Sequence, residues 1–194
     1  MKINWRGYEF KWIQGGLGML TENIAGHVHS KNSYELHYII GGKGELLTAE
    51  KSYNLSEEMF FITGPNVYHE QKTQKEDPLT EVHCYLQCSG RKTNDILGNI
   101  FFEHHFYIGQ QKKFKRYFLN IAKELEQKNI GYESIVECNL EYILTEYTRS
   151  FIKEYKLPKK EDMSDLNDAR FLQIEVELMT NGDDVTLSLL AEKI

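Results

Sequence analysis

Three short runs hold the side chains most able to do chemistry: Gly26-His27-Val28-His29, Tyr34-Glu35-Leu36-His37, and Gly64-Pro65-Asn66-Val67-Tyr68-His69. His27 and His29 are two residues apart, so an extended chain turns both to one side. Glu35, His37 and Ile39 likewise share a face, with Leu36, Tyr38 and Ile40 on the other. Imidazoles and a carboxylate brought together suit a divalent transition metal with positions left open for water or substrate. The same groups can instead hydrogen-bond a polar small molecule, or serve as ordinary polar groups at the mouth of a barrel. Tyr68 and Trp12 offer aromatic faces that could cover the C–H surface of a sugar ring, with core packing the competing role. His83 has the parity of Tyr85 and Gln87, and an inward orientation would add it to the set. His104-His105 reads as surface or helix cap. Lys112, Lys113, Lys115 and Arg116 read as the solvated opening of a helix rather than a phosphate site.

These runs lie in a region of short strands. Tyr8–Ile13 alternates, with Gly15, Gly16 and Gly18 read as a turn. Tyr34–Ile40 is β-prone and ends at Gly41-Gly42-Lys43-Gly44. Glu45–Thr48, Lys51–Leu55 and Met59–Ile62 follow, then the break at Gly64-Pro65-Asn66 and a strand over Leu79–Cys88. No helical pattern of ten residues interrupts the first hundred. Short strands with glycine turns predict an antiparallel sandwich or barrel.

The period then changes. Phe114, Phe118, Ile121, Ala122 and Leu125 make an apolar stripe at helical spacing within 110–129. Val136, Leu140, Ile143, Leu144, Tyr147 and Phe151 make a second within 133–155, and the short connection at Gly131 predicts an antiparallel hairpin. Those stripes must be buried on the sheet, on each other or on another subunit. Lys156–Met163 is charged, contains Pro158 and reads as a linker. Asp168–Thr180 reads as a helix ending at Asn181-Gly182. Thr186 caps a last pattern in which Leu187, Leu190, Ala191 and Ile194 share a face, as in the first half of a helix-turn-helix. The fold class is therefore mainly β followed by α, an α+β chain.

Composition narrows the function. A formal net charge of −6 and a pI near 5.7 argue against these residues themselves gripping a phosphate backbone. Three cysteines, Cys84, Cys88 and Cys138, suit a reducing compartment. Cys84 and Cys88 lie about 13 Å apart along a straight strand, too far to bond or share a metal. The start MKINWRGYEFKWIQGG has no apolar leader region, and no run approaches a membrane span. A cytoplasmic protein with no membrane partner is expected.

The HxH pair, the glutamate after five intervening residues, the glycine turn and the Pro65-to-His69 run together resemble the two motifs of the cupin superfamily. That resemblance implies a jelly-roll barrel, with His27, His29, Glu35 and His69 at the four positions that bind metal in metallocupins. The His29–Glu35 spacing is wider than usual, Pro65–His69 lacks the usual glycine, and the glycine that opens the second motif is replaced near Glu57 or Glu58. Across the whole chain, HVHSKNSYELHYIIGGKGEL, YNLSEEMFFITGPNVYH, the hairpin and RFLQIEVELMTNGDDVTLSLLAEKI resemble an AraC-type transcription regulator. The resemblance implies a sensor barrel over 1–105, a dimerisation hairpin over 106–157, a linker over 158–167 and a partial DNA-binding domain over 168–194, cut within its first helix-turn-helix. It implies a non-enzymatic homodimer that binds a small polar effector, a sugar being one candidate, and reaches DNA only through the fuller protein. On this reading His27, His29, Glu35, His37, Tyr68 and His69 contact the effector without a cofactor. A metal-dependent cupin enzyme, a dioxygenase or isomerase using His27, His29, Glu35 and His69, is the rival.

Overall fold

The computed structural model describes residues 1–89 and 95–152, together with Ile174. The linker and helix expectations over 156–194, and the end of the second hairpin helix, lie outside the described residues.

Among the described residues, ten strands form two sheets. The larger has the order β1 (Lys2–Trp5), β2 (Tyr8–Met19), β9 (Thr80–Cys88), β4 (Ser33–Gly41), β7 (Met59–Thr63) and β10 (Phe106–Gln110). The smaller has the order β3 (Ile24–His27), β8 (His69–Thr73), β5 (Gly44–Thr48) and β6 (Ser52–Leu55). All the pairings between these strands are antiparallel. This is the expected strand-rich barrel, with helices after it.

Strand β4 shows why alternation here does not produce a wet face. Leu36 and Tyr38 point away from the barrel into the main core, while Glu35, His37 and Ile39 point inward. Helices cover the outward face, so both faces are buried. They are α1 (Ile96–Glu103), α2 (Lys115–Gln127) and α3 (Tyr132–Arg149). Phe118 and Ile121 of α2 and Leu140, Ile143 and Tyr147 of α3 join Leu36, Tyr38, Phe60 and Val82 of the sheet in one apolar cluster. The hairpin stripes are thus buried on the sheet and on each other. Lys128 and Gly131 reverse the chain between α2 and α3 with positive φ of 48° and 86°.

A second, smaller core fills one end of the barrel with Ile39, Leu46, Leu55, Phe61 and Leu79. The other end is polar and holds the site. At the β4–β5 turn Gly42 has φ +82°, and a Cβ there would lie 2.1 Å from the Pro78 carbonyl oxygen. Only glycine fits that position.

Three elements differ from expectation. Gly15, Gly16 and Gly18 do not form a turn but continue β2 beside β9. A Cβ on Gly15 would meet the His83 carbonyl oxygen at 2.4 Å, so glycine here permits close approach rather than reversal. Helix α1 lies inside the region read as strands, capped by Asp95, whose side chain accepts from the Gly98 N–H at 2.8 Å. At eight residues it makes little more than two turns, too short for a periodicity window to reveal. Strand β10 follows it and pairs with β7, so sheet pairing extends to Gln110.

A cavity floored by three histidines and a glutamate

The polar end of the barrel encloses a cavity of about 310 Å³. Sheet register explains what lines it. Gln14, Tyr85, Glu35 and Thr63 form one cross-strand row, and Gly16, His83, His37 and Phe61 form the next. The smaller sheet faces them with His27 and His69, which are direct cross-strand partners on β3 and β8. His29 lies just past β3 and bridges to Pro65.

His27, His29, Glu35 and His69 present ligand atoms that all lie within 4.8 Å of one another. Glu35 is the hub. Its Oε2 lies 3.0 Å from His29 Nε2, 3.3 Å from His37 Nε2 and 3.9 Å from His69 Nε2. His27 Nδ1 and His69 Nδ1 sit 2.9 and 3.1 Å from the carbonyl oxygens of Ala25 and Val67. A carbonyl only accepts, so each Nδ1 carries the proton and each Nε2 is left as a lone pair. Burial holds the His69 pKa down to about 4 against the pull of the Val67 carbonyl, and His27, His37 and His29 push it the same way as burial. His29 Nε2 is buried and lies beside the carboxylate.

His27 and His69 therefore turn lone pairs, and Glu35 its carboxylate, toward a common point, where His29 Nε2 joins them. Such a set needs an electrophile: a metal ion, or a ligand rich in O–H or N–H groups. The donor set and the fixed tautomers of His27 and His69 fit a divalent transition metal.

Behind the tetrad, His37 reaches Glu81 and, through it, Gln71, a buried layer that the motifs did not reveal. His37 Nδ1 lies 3.1 Å from Glu81 Oε1, and Gln71 Nε2 donates to Glu81 Oε2 at 2.7 Å. The His37 ring stacks on Phe61, with centroids 4.3 Å apart. Burial opposes charge on His37, but Glu81 and then Glu35 overcome it and push its pKa up to about 10. Burial would raise both carboxyls; the His37 charge instead holds Glu35 and Glu81 below the usual carboxylate range, helped by His29 and Gln71 respectively.

Of the expected site residues, His27, His29, Glu35, His37 and His69 come together, and His83 joins the wall. Tyr68 does not line the cavity. It follows the strand break, is 40% exposed, and packs its phenol against the bare Cα of Gly26. Trp12 packs on the outer core instead. Gln14, Gln71 and Glu81 were missed. Glu81 shares the parity of His83, which was the available signal; Gln14 was hidden by the register shift after Trp12.

The fold and the placement of this site define a cupin barrel with helices on its outer sheet. The family model of the AraC-like ligand binding domain matches residues 21–144, and the chain belongs to that family. Among solved structures, a cupin protein from Bacteroides fragilis is 17% identical over 47% of this chain and 74% of its own, with a TM-score of 0.35. A predicted oxalate decarboxylase from Thermotoga maritima is 16% identical over 45% of this chain and 90% of its own, at 0.37. Unsaturated fatty acid bound wild-type ToxT from Vibrio cholerae is 11% identical over 96% of this chain and 78% of its own, at 0.49. No curated protein sequence matches the chain. No helix among the described residues is long and apolar enough to cross a membrane.

Proposed function

We propose that this chain is the effector-sensing and dimerisation region of a transcription regulator. The cavity takes a small polar metabolite, a sugar being one candidate, and its occupancy controls a DNA-binding module of the fuller protein. The observation that carries this reading is the cavity of about 310 Å³ in a ligand-binding domain, with acceptors converging on its floor. Control requires the effector to bind two arrangements of the protein with different affinity. Thermal melts of the purified chain against neutral sugars, hydroxy acids and amines test it. One class should raise the Tm of the wild type, and Glu35→Ala or His29→Ala should abolish the shift while the fold survives. An undiminished shift in both variants overturns the assignment.

A second reading is supported by the convergence of the tetrad. His27, His29, Glu35 and His69 hold a divalent transition metal, which supplies a Lewis-acid contact for oxygen atoms of the effector. Metal analysis of protein purified without chelator tests this: near-stoichiometric iron, manganese or zinc, lost in a His27→Ala/His29→Ala double variant, supports it. Turnover of a bound metabolite by the metal-loaded protein would instead favour the rival dioxygenase or isomerase.

A further inference from the structure

We propose that Gln71, Glu81 and His37 form a strut across the barrel that positions Glu35 against the histidines of the opposite sheet; this rests on the reading of the tetrad as a cation site. His69 and Gln71 lie two apart on β8, so they share the inward face of the smaller sheet. From Gln71 the contacts run to Glu81 on β9, to His37 on β4 and on to Glu35, also on β4. The closing gap is the 3.9 Å between Glu35 Oε2 and His69 Nε2. The strut therefore begins two residues from one cation ligand and ends on another.

The need for it follows from the topology. Glu35 is held on the larger sheet, while His27 and His69 are held on the smaller, and no strand pairing joins β4 or β9 to β8. At this end the backbone joins the two sheets through the His29–Pro65 bridge, and the spacing of Glu35 from His69 across the cavity is left to side chains. Gln71, Glu81 and His37 are each no more than 2% exposed. Phe61 stacked on the imidazole removes its freedom to tilt. Groups of this kind that orient a ligand are worth about ten- to a hundredfold in metal affinity.

The test uses cobalt(II) as the probe, with affinity from titration and site geometry from the visible absorption spectrum. Gln71→Met keeps the volume and removes the donor; Glu81→Gln keeps the shape and removes the charge. Both should bind cobalt(II) about tenfold or more weakly than the wild type, with altered band intensity. Glu81→Gln carries the greater folding risk, and Gln71→Met, with thermal melts beside the titration, keeps the comparison decisive. Wild-type affinity and spectrum in a folded Gln71→Met overturn the strut while leaving the cation site standing. Absence of cobalt binding by the wild type overturns the cation reading and the strut with it.

Discussion

At the scale of single residues, the site is a balance of two carboxylates, one imidazolium and lone pairs with nothing to accept. His37 lies between Glu35 and Glu81, so both acids stay ionised in a place where burial alone would neutralise them. The pH dependence follows with a definite sign. His37, raised to about 10, contributes stability that is complete below the ordinary histidine value of 6.5 and declines as pH rises toward 10. His69, lowered to about 4, contributes stability that is lost as pH falls from 6.5 toward 4, and the lowered Glu81 adds to that acid-side loss below 4.5. The Tm should peak near pH 6.5 and fall on both sides. Circular-dichroism melts across the range check this, and a flat alkaline arm would contradict a charged His37. The bare wall offers a second test. Gly18 lines the cavity, and a Cβ there meets nothing within 4 Å. Gly18→Val should fill free space, leave the Tm within a few degrees, and weaken effector binding at least about tenfold through steric exclusion. Unchanged Tm shifts with a binding metabolite would place the effector elsewhere.

At the scale of elements, turns and helix faces decide what is rigid and what is exposed. Gly42→Ala forces a Cβ against the Pro78 carbonyl at a positive φ, and should cost about 2 kcal/mol or more in urea unfolding. Glu58, by contrast, holds φ +68° in the turn before β7, near where the cupin motif has its glycine, so the expected glycine conformation is present without the glycine. The hairpin buries its stripes inward but leaves Leu119 on α2 and Ile135 on α3 exposed at 39% and 44%. If these faces pair two chains, Leu119→Lys combined with Ile135→Lys should convert a dimer to a monomer in light scattering, with the fold kept; an unchanged mass would move the interface elsewhere. Legibility divides along the same line. The HxH spacing, the parity of Glu35 and His37, and the long hairpin stripes were readable because each is a pattern between residues close along the chain. Glu81 and Gln71 were not, because a lone acid or amide becomes a site residue only through a partner on another strand. Helix α1 and β10 escaped because two turns and five residues are too short for a period to emerge, and β10 acquires its strand identity from pairing with β7.

At the scale of the whole molecule, the larger core is not inside the barrel. It lies between the outer face of the six-stranded sheet and helices α1, α2 and α3, and includes Phe10, Tyr38, Phe60, Phe101, Phe118 and Leu140, all fully buried. The interior, by comparison, contributes five buried apolar residues at one end and a polar cavity at the other. Buried apolar area supplies most of the stabilisation of a domain, at about 25 cal/mol per Å². A barrel stripped of its hairpin would expose Leu36, Tyr38, Phe60 and Val82 on a continuous apolar sheet face. The barrel and the hairpin should therefore unfold as one cooperative unit rather than as sensor and separate dimerisation module. A protein ending at Gln110 should show no cooperative melt and should aggregate, whereas one ending at Ile152 should melt in a single transition. This coupling gives the cavity a direct route to the helices: β4 carries Glu35 and His37 on one face and Leu36 and Tyr38 on the other, and Tyr38 stacks on Phe118 of α2 at 5.1 Å. A shift of β4 on ligand binding would have to be accommodated in that aromatic contact. Fluorine labelling of Phe118 should then report cavity occupancy as a chemical-shift change, and an unperturbed signal at saturating ligand would break the link between cavity and hairpin.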